Sequence, residues 1–124
     1  MEMRTQRGAV TAEAALAIPV LTGFAVALVF LVNVGIIQVR SLDAAREAAR
    51  MVARGDSIGQ ARATAKRVAA GDATVRIIRS ARYVKVQVSV PIRGPGGLLS
   101  GQLGELSARA EAAMEPAAET GIRP

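Results

Sequence analysis

The chemistry open to this chain is narrow, because its 124 residues include neither histidine nor cysteine. Imidazole acid–base catalysis, Ser-His and Cys-His nucleophiles, thiolate zinc sites and disulfides are all excluded. The acids are scattered, no metal-spaced ligands occur, and the glycine-rich "RGPGG" lacks the Lys-Ser/Thr sequel of a phosphate loop. A nucleophile–base pairing of Ser89 with Lys85 has nothing to support it. The expectation is a protein that is not an enzyme and carries no cofactor and no metal. One ionisable residue stands apart. In "RGAVTAEAALAIPV", Glu13 is the last charge before a run of 26 uncharged residues from Ala14 to Val39. A charge at the centre of a bilayer costs roughly 2.5–3.5 kcal/mol or more, and less near an interface. Glu13 therefore calls for a cationic partner, or else complements the positive end of a helix N-terminus, where acids gain about 0.3–1 kcal/mol.

The run itself is long enough to span a membrane, since a bilayer core needs about 20 residues of helix. The mean hydropathy of the whole chain is only +0.30, so the apolar content is concentrated there and one span is expected. A cleaved secretory signal would have a shorter apolar core, about 7–15 residues, and a small-x-small site, which "NVGIIQVRS" does not offer. A plain uncleaved anchor fits the length but leaves Glu13 without a task. Inside the run Pro19 lacks a backbone donor and is expected to kink or loosen the helix near Thr22 and Gly23. That bend suits either extraction of the N-terminus or a simply tolerated membrane proline. Gly23, Ala27, Asn33 and Gly35 suit close helix contacts, with Asn33 either bridging helices or facing water.

Beyond the run, "SLDAAREAARMVAR" is rich in helix formers, so the membrane helix is expected to continue into water. Arg46, Arg50 and Arg54 form one stripe at i+4 spacing, solvated or turned to headgroups or a partner. Ala45, Ala49 and Val52 give a small-residue face. Gly55 ends this helix, and "DSIGQARATAKRVAAGD" predicts a second, capped by Asp56 or Ser57, stopped by Gly71, with Ile58, Ala61, Ala65, Val68 and Ala69 on one face. The period then switches to two. Val84, Val86, Val88, Val90 and Ile92 alternate with polar residues up to Pro91 and "RGPGG", and "ATVRIIR" reads as a partner strand joined through the turn "SAR". In "ELSARAEAAMEP" composition favours helix, but Leu106, Ala108, Ala110, Ala112 and Met114 share a face at period two, and a strand is expected.

The fold class is thus α+β: a long N-terminal transmembrane helix continuing into a small C-terminal domain with a second helix and a short antiparallel sheet of about three strands. The formal charge of +6 points to an anionic neighbour. Nucleic acid is not expected, because charge is its only support and aromatic content is 2%.

The leader "MEMRTQRG", the small residue Ala9 and Glu13 at the fifth position after Gly8 together resemble the class III signal of type IV prepilins. With the long N-terminal helix, "LDAAREAARMVARG" and the β-rich tail containing "ARAEAAMEP", nearly the whole chain looks like the TadE-like minor pseudopilins of tight-adherence (Flp-type IVb) pilus systems. That resemblance implies a prepilin-type leader at 1–8 and cleavage by a prepilin peptidase between Gly8 and Ala9. After it come an N-terminal helix at 9–40, a helical region at 41–71, a small β domain at 72–115 and a flexible tail at 116–124. It also implies other pilins or pseudopilins and Tad assembly-platform proteins as partners besides the lipid bilayer, and a cytoplasmic leader with the C-terminal domain outside the cytoplasmic membrane. Cleavage would expose the amine of Ala9, and an α-amino group ordinarily titrates at about 7.7–8.0. That amine would stand four residues before Glu13, able to pair with it within one subunit or between subunits. Charge counting points the other way on orientation, since Arg4 and Arg7 precede the span while Arg40, Arg46, Arg50 and Arg54 follow it. The alternative reading is an unprocessed single-pass membrane protein whose basic outer domain binds an envelope polymer or a protein partner.

Overall fold

The computed structural model describes residues 3–69, 71–96 and 101–114, with only the backbone for 3–7. The expected loose tail at 116–124 lies outside the described residues. Helix α1 (Met3–Ala53) is followed by α2 (Ile58–Ala69) and strands β1 (Thr74–Arg79), β2 (Tyr83–Arg93) and β3 (Gln102–Ala113). The strands form an antiparallel meander in the order β1-β2-β3. The chain divides into two compact units, Met1–Asn33 and Val34–Pro124. The expected α+β architecture, with a long apolar helix, a second helix and three antiparallel strands, is what the chain forms.

The second unit is built on side-chain size. Within α1, Ser41, Ala44, Ala45, Ala48, Ala49 and Val52 recur at three- and four-residue spacing and are all 0–1% exposed. One helical face is therefore buried while Arg46, Arg50 and Arg54 remain on the other. Ser41 enters this apolar stripe at no cost in unpaired donors, because its hydroxyl donates to the Ile37 carbonyl at 2.8 Å. In α2 the buried residues are Ala61, Ala65 and Ala69. Ile58 and Val68, expected on that face, are each 37% exposed, a correction that follows from the narrow i+4 stripe: its flanks stay at the surface. Both alanine faces join one core with Val84, Val86, Val88 and Val90 of β2 and Val75 of β1. Methyl-sized side chains from the two helices and valines from the sheet fill this core together.

The elements stop where the backbone demands it. Gly55 has φ +100°, and the Gly55 N–H donates to the Val52 carbonyl at 3.1 Å while the Asp56 N–H donates to Met51 at 3.0 Å. This paired return of N–H groups is a Schellman end, which needs a residue in the left-handed region and so favours glycine. Of the two candidate caps for α2, Ser57 is used: its Oγ accepts from the Gln60 N–H at 3.2 Å. Gly71, φ +68°, turns the chain toward β1.

β3 is the element where composition and pairing disagree. Alanine, glutamate and arginine favour helix, yet Leu106, Ala108, Ala110 and Ala112 lie opposite Val90, Val88, Val86 and Val84, placing three methyl-sized side chains and one leucine beside the valine row. β3 begins at Gln102, earlier than "ELSARAEAAMEP" indicated. β2 does not stop at Pro91 but continues to Arg93. Pairing with β1 ends at Ser89, so past that point only β3 pairs with β2, and a proline is tolerated there. The far end of β2 is tied by the Arg93 guanidinium to Asp72 at 2.6 Å, between α2 and β1.

Two substitutions test this packing. Ala48→Leu forces three extra carbons between α1 and the sheet and is expected to destabilise the domain by about 1–3 kcal/mol. Gly55→Ala imposes a Cβ on a left-handed residue and is expected to cost about 1–2 kcal/mol. Unfolding in detergent followed by circular dichroism reads both, and Ala63→Leu on the exposed side of α2 serves as the neutral control.

Candidate functional site

In the first unit the candidate residues that are described all lie on α1. Gly8, Ala9 and Glu13 are all helical and exposed, and a Cβ built on Gly8 meets nothing within 4 Å. The helix begins at Met3, so the Gly8–Ala9 bond has helical rather than extended backbone here. A peptidase acting on that bond has to unwind the turn around it. Glycine eases this, being about 1 kcal/mol less favourable than alanine in a helix interior.

Glu13 sits four residues after Ala9 on the same helical face. The 3.6-residue period places Val20, Phe24 and Leu31 on that face too, so the carboxylate heads an otherwise apolar strip. It makes no ion pair with any described residue. Pro19 lies inside α1, which continues through it. It withholds a donor from the Ala15 carbonyl, and one turn on the Thr22 hydroxyl donates to the Ile18 carbonyl at 2.8 Å. Gly8, Ala9, Glu13 and Pro19 all lie on this one helix.

The apolar run shows a burial pattern opposite to that of the second unit. Leu16 is 72% exposed, Phe24 63% and Val32 64%, and no part of the apolar window is buried within the molecule. A core helix of a water-soluble domain would cover such residues. At 1.5 Å per residue the 26 uncharged positions extend about 39 Å, enough for a hydrocarbon core of about 30 Å with tilt. One helix, apolar on all sides, anchors this protein in a membrane, and a small folded domain follows it.

A second cluster was not singled out by sequence reasoning. On the face of the sheet turned away from the valine core, Arg76, Gln87 and Arg109 are direct cross-strand partners and form one row. The neighbouring row is Ile78, Lys85 and Glu111, and the one on the other side is Thr74, Ser89 and Ser107. Lys85 is held by Glu111 at 3.7 Å and lies 5.4 Å from the Tyr83 ring centroid. Arg76 and Arg109 have no acid within ion-pair distance among the described residues. Together with Ile78, Lys85 and Gln87 they line a shallow concavity. The signal was present in the parity of "TVRIIR", "YVKVQVSV" and "LSARAEAA", but it becomes a site only once the register puts Arg76, Gln87 and Arg109 side by side.

No protein-family model matches the sequence, and neither curated proteins nor solved structures give a significant match. What the geometry establishes is a membrane-anchored protein with a single apolar helix and a small α+β domain.

Proposed function

We propose that this protein is a TadE-like minor pseudopilin, a single-pass structural and assembly component of a type IVb pilus, processed by a prepilin peptidase between Gly8 and Ala9. The observation that carries the reading is Glu13: a lone carboxylate at the head of the apolar strip Val20, Phe24 and Leu31, four residues after a small residue that itself follows a glycine. Such a carboxylate needs a cation in hydrocarbon. Cutting at Gly8 supplies one as the Ala9 amine, positively charged over much of the neutral range. Because Glu13 and the apolar residues below it share a face, a neighbouring subunit packed on that strip meets the carboxylate and the side chains together. The absence of histidine and cysteine agrees with a role as peptidase substrate and packing element rather than as catalyst. In this reading the leader is cytoplasmic, the C-terminal domain lies outside the membrane, and the partners are pilins, pseudopilins and the assembly platform.

Mass spectrometry of the protein purified from its own membrane decides the processing step: the mature chain is expected to begin at Ala9, and an N-terminus at Met1 would sink the proposal. Gly8→Trp is expected to abolish cleavage and leave the precursor at full length. Glu13→Ala is expected to be cleaved normally but to lose co-purification with its pilus partners. If Glu13→Ala assembles as well as the parent, the carboxylate only complements the helix terminus.

A further inference from the structure

We propose that the open face of the sheet, centred on the row Arg76, Gln87 and Arg109, is a docking surface for an acidic segment of a neighbouring protein, one that presents carboxylates beside apolar side chains. This does not depend on whether the Gly8–Ala9 bond is cut.

Register comes first. Neighbouring strands lie about 4.8 Å apart, so the Arg76 and Arg109 Cα atoms stand about 10 Å apart with the half-buried Gln87 between them. Two guanidinium forks and one carboxamide donor thus rise from a single row. The intrinsic acids near this row are accounted for. Glu111 is committed to Lys85, and Glu105 lies opposite Pro91, two rows away. Both arginines therefore hold unspent donors in the planar geometry that takes carboxylates two bonds at a time. The exposed hydroxyls of Thr74 and Ser107, flanking the buried Ser89, add acceptors and donors without adding negative charge.

The occupant's class follows from what stands next to the cations. Ile78 is 54% exposed and Tyr83 39%, both on this same face. The neighbouring Ile77 takes the inward position of β1, so Ile78 is turned out by the two-residue period. Arginine, tyrosine and an exposed aliphatic residue in one patch have the composition of a protein–protein contact centre. A polyanionic glycan or a free phosphate has no use for Ile78, and an anionic bilayer is the competing occupant that the test separates. The face is also turned away from the Ser41–Val52 stripe of α1, which is fully occupied by the core.

The test uses the full chain in nanodiscs of zwitterionic phosphatidylcholine, titrated with a short fluorescein-labelled peptide of alternating Glu and Leu. Binding is expected to weaken as salt rises, and the peptide with Gln in place of Glu is not expected to bind. Arg76→Gln/Arg109→Gln should lower affinity by about tenfold or more, and Ile78→Ser by a smaller factor. Arg62→Gln/Lys66→Gln, which removes equal charge from the exposed side of α2, should change it less than about twofold. Unchanged thermal unfolding of each variant excludes loss of fold as the cause. The proposal is overturned if the α2 pair matters as much as the sheet pair, which would make net charge the cause. It also fails if the arginine pair has no effect or if Ile78→Ser binds like the parent. A further overturning result is phosphatidylglycerol vesicles, rather than the peptide, binding through Arg76 and Arg109.

Discussion

Four valines at alternating positions of one strand need a cover, and what covers them determines how this domain is put together. Val84, Val86 and Val88 are at most 1% exposed and Val90 is 5% exposed, although their core cluster holds no aromatic residue. The cover is supplied by alanines: two helices present Ala44, Ala45, Ala48, Ala49, Ala61, Ala65 and Ala69 to the sheet. Each fully buried valine contributes about 1.5–3 kcal/mol relative to exposure. That gain is available only if the covering side chains exclude water from the valine row. The protein has no disulfide or metal-thiolate staple to compensate for a loosened core, since it has no cysteine.

The same requirement explains why a helix-favouring sequence becomes β3. Its inward residues are small opposite Val84, Val86 and Val88, where Ala112, Ala110 and Ala108 stand, and only at the Val90 end does Leu106 fit. Alanine is chosen there for its size, and its helical preference is overridden by the pairing energy of a long antiparallel ladder. Period two was the legible signal, because one face at alternating positions is meaningful only in a strand. The limits of β2 and β3 were less legible. Whether Pro91 ends a strand depends on how far its neighbour β1 extends, and that is a property of register. Likewise Ile58 and Val68 look like core residues by hydropathy, yet the contact made by α2 is only one alanine wide.

The candidate sites divide along the same line. Glu13, Gly8 and Ala9 were readable because their meaning is one-dimensional: a charge, a glycine and a spacing along one helix. Arg76 and Arg109 lie on strands separated by all of β2 and are more than thirty positions apart in sequence. They become neighbours only through Gln87, and nothing short of the register reveals it. A row of like charges across a sheet is unfavourable unless solvent or a partner offsets it, so its presence on the open face is a constraint that the core does not impose.

Helix α1 joins two solvents with one backbone. From Ala14 to Val32 its surface carries no charge and, apart from Thr22, no polar side chain, as lipid requires of a lone span. From Ser41 the pattern narrows to a buried stripe of small residues with arginines and acids opposite, as water and a protein core require. Asn33, Gln38, Arg40 and Ser41 mark the change along α1, which is one helix from Met3 to Ala53. The transition is made by side-chain chemistry alone: Arg40 begins the charged surface, and Ser41 hides its hydroxyl by bonding back to Ile37.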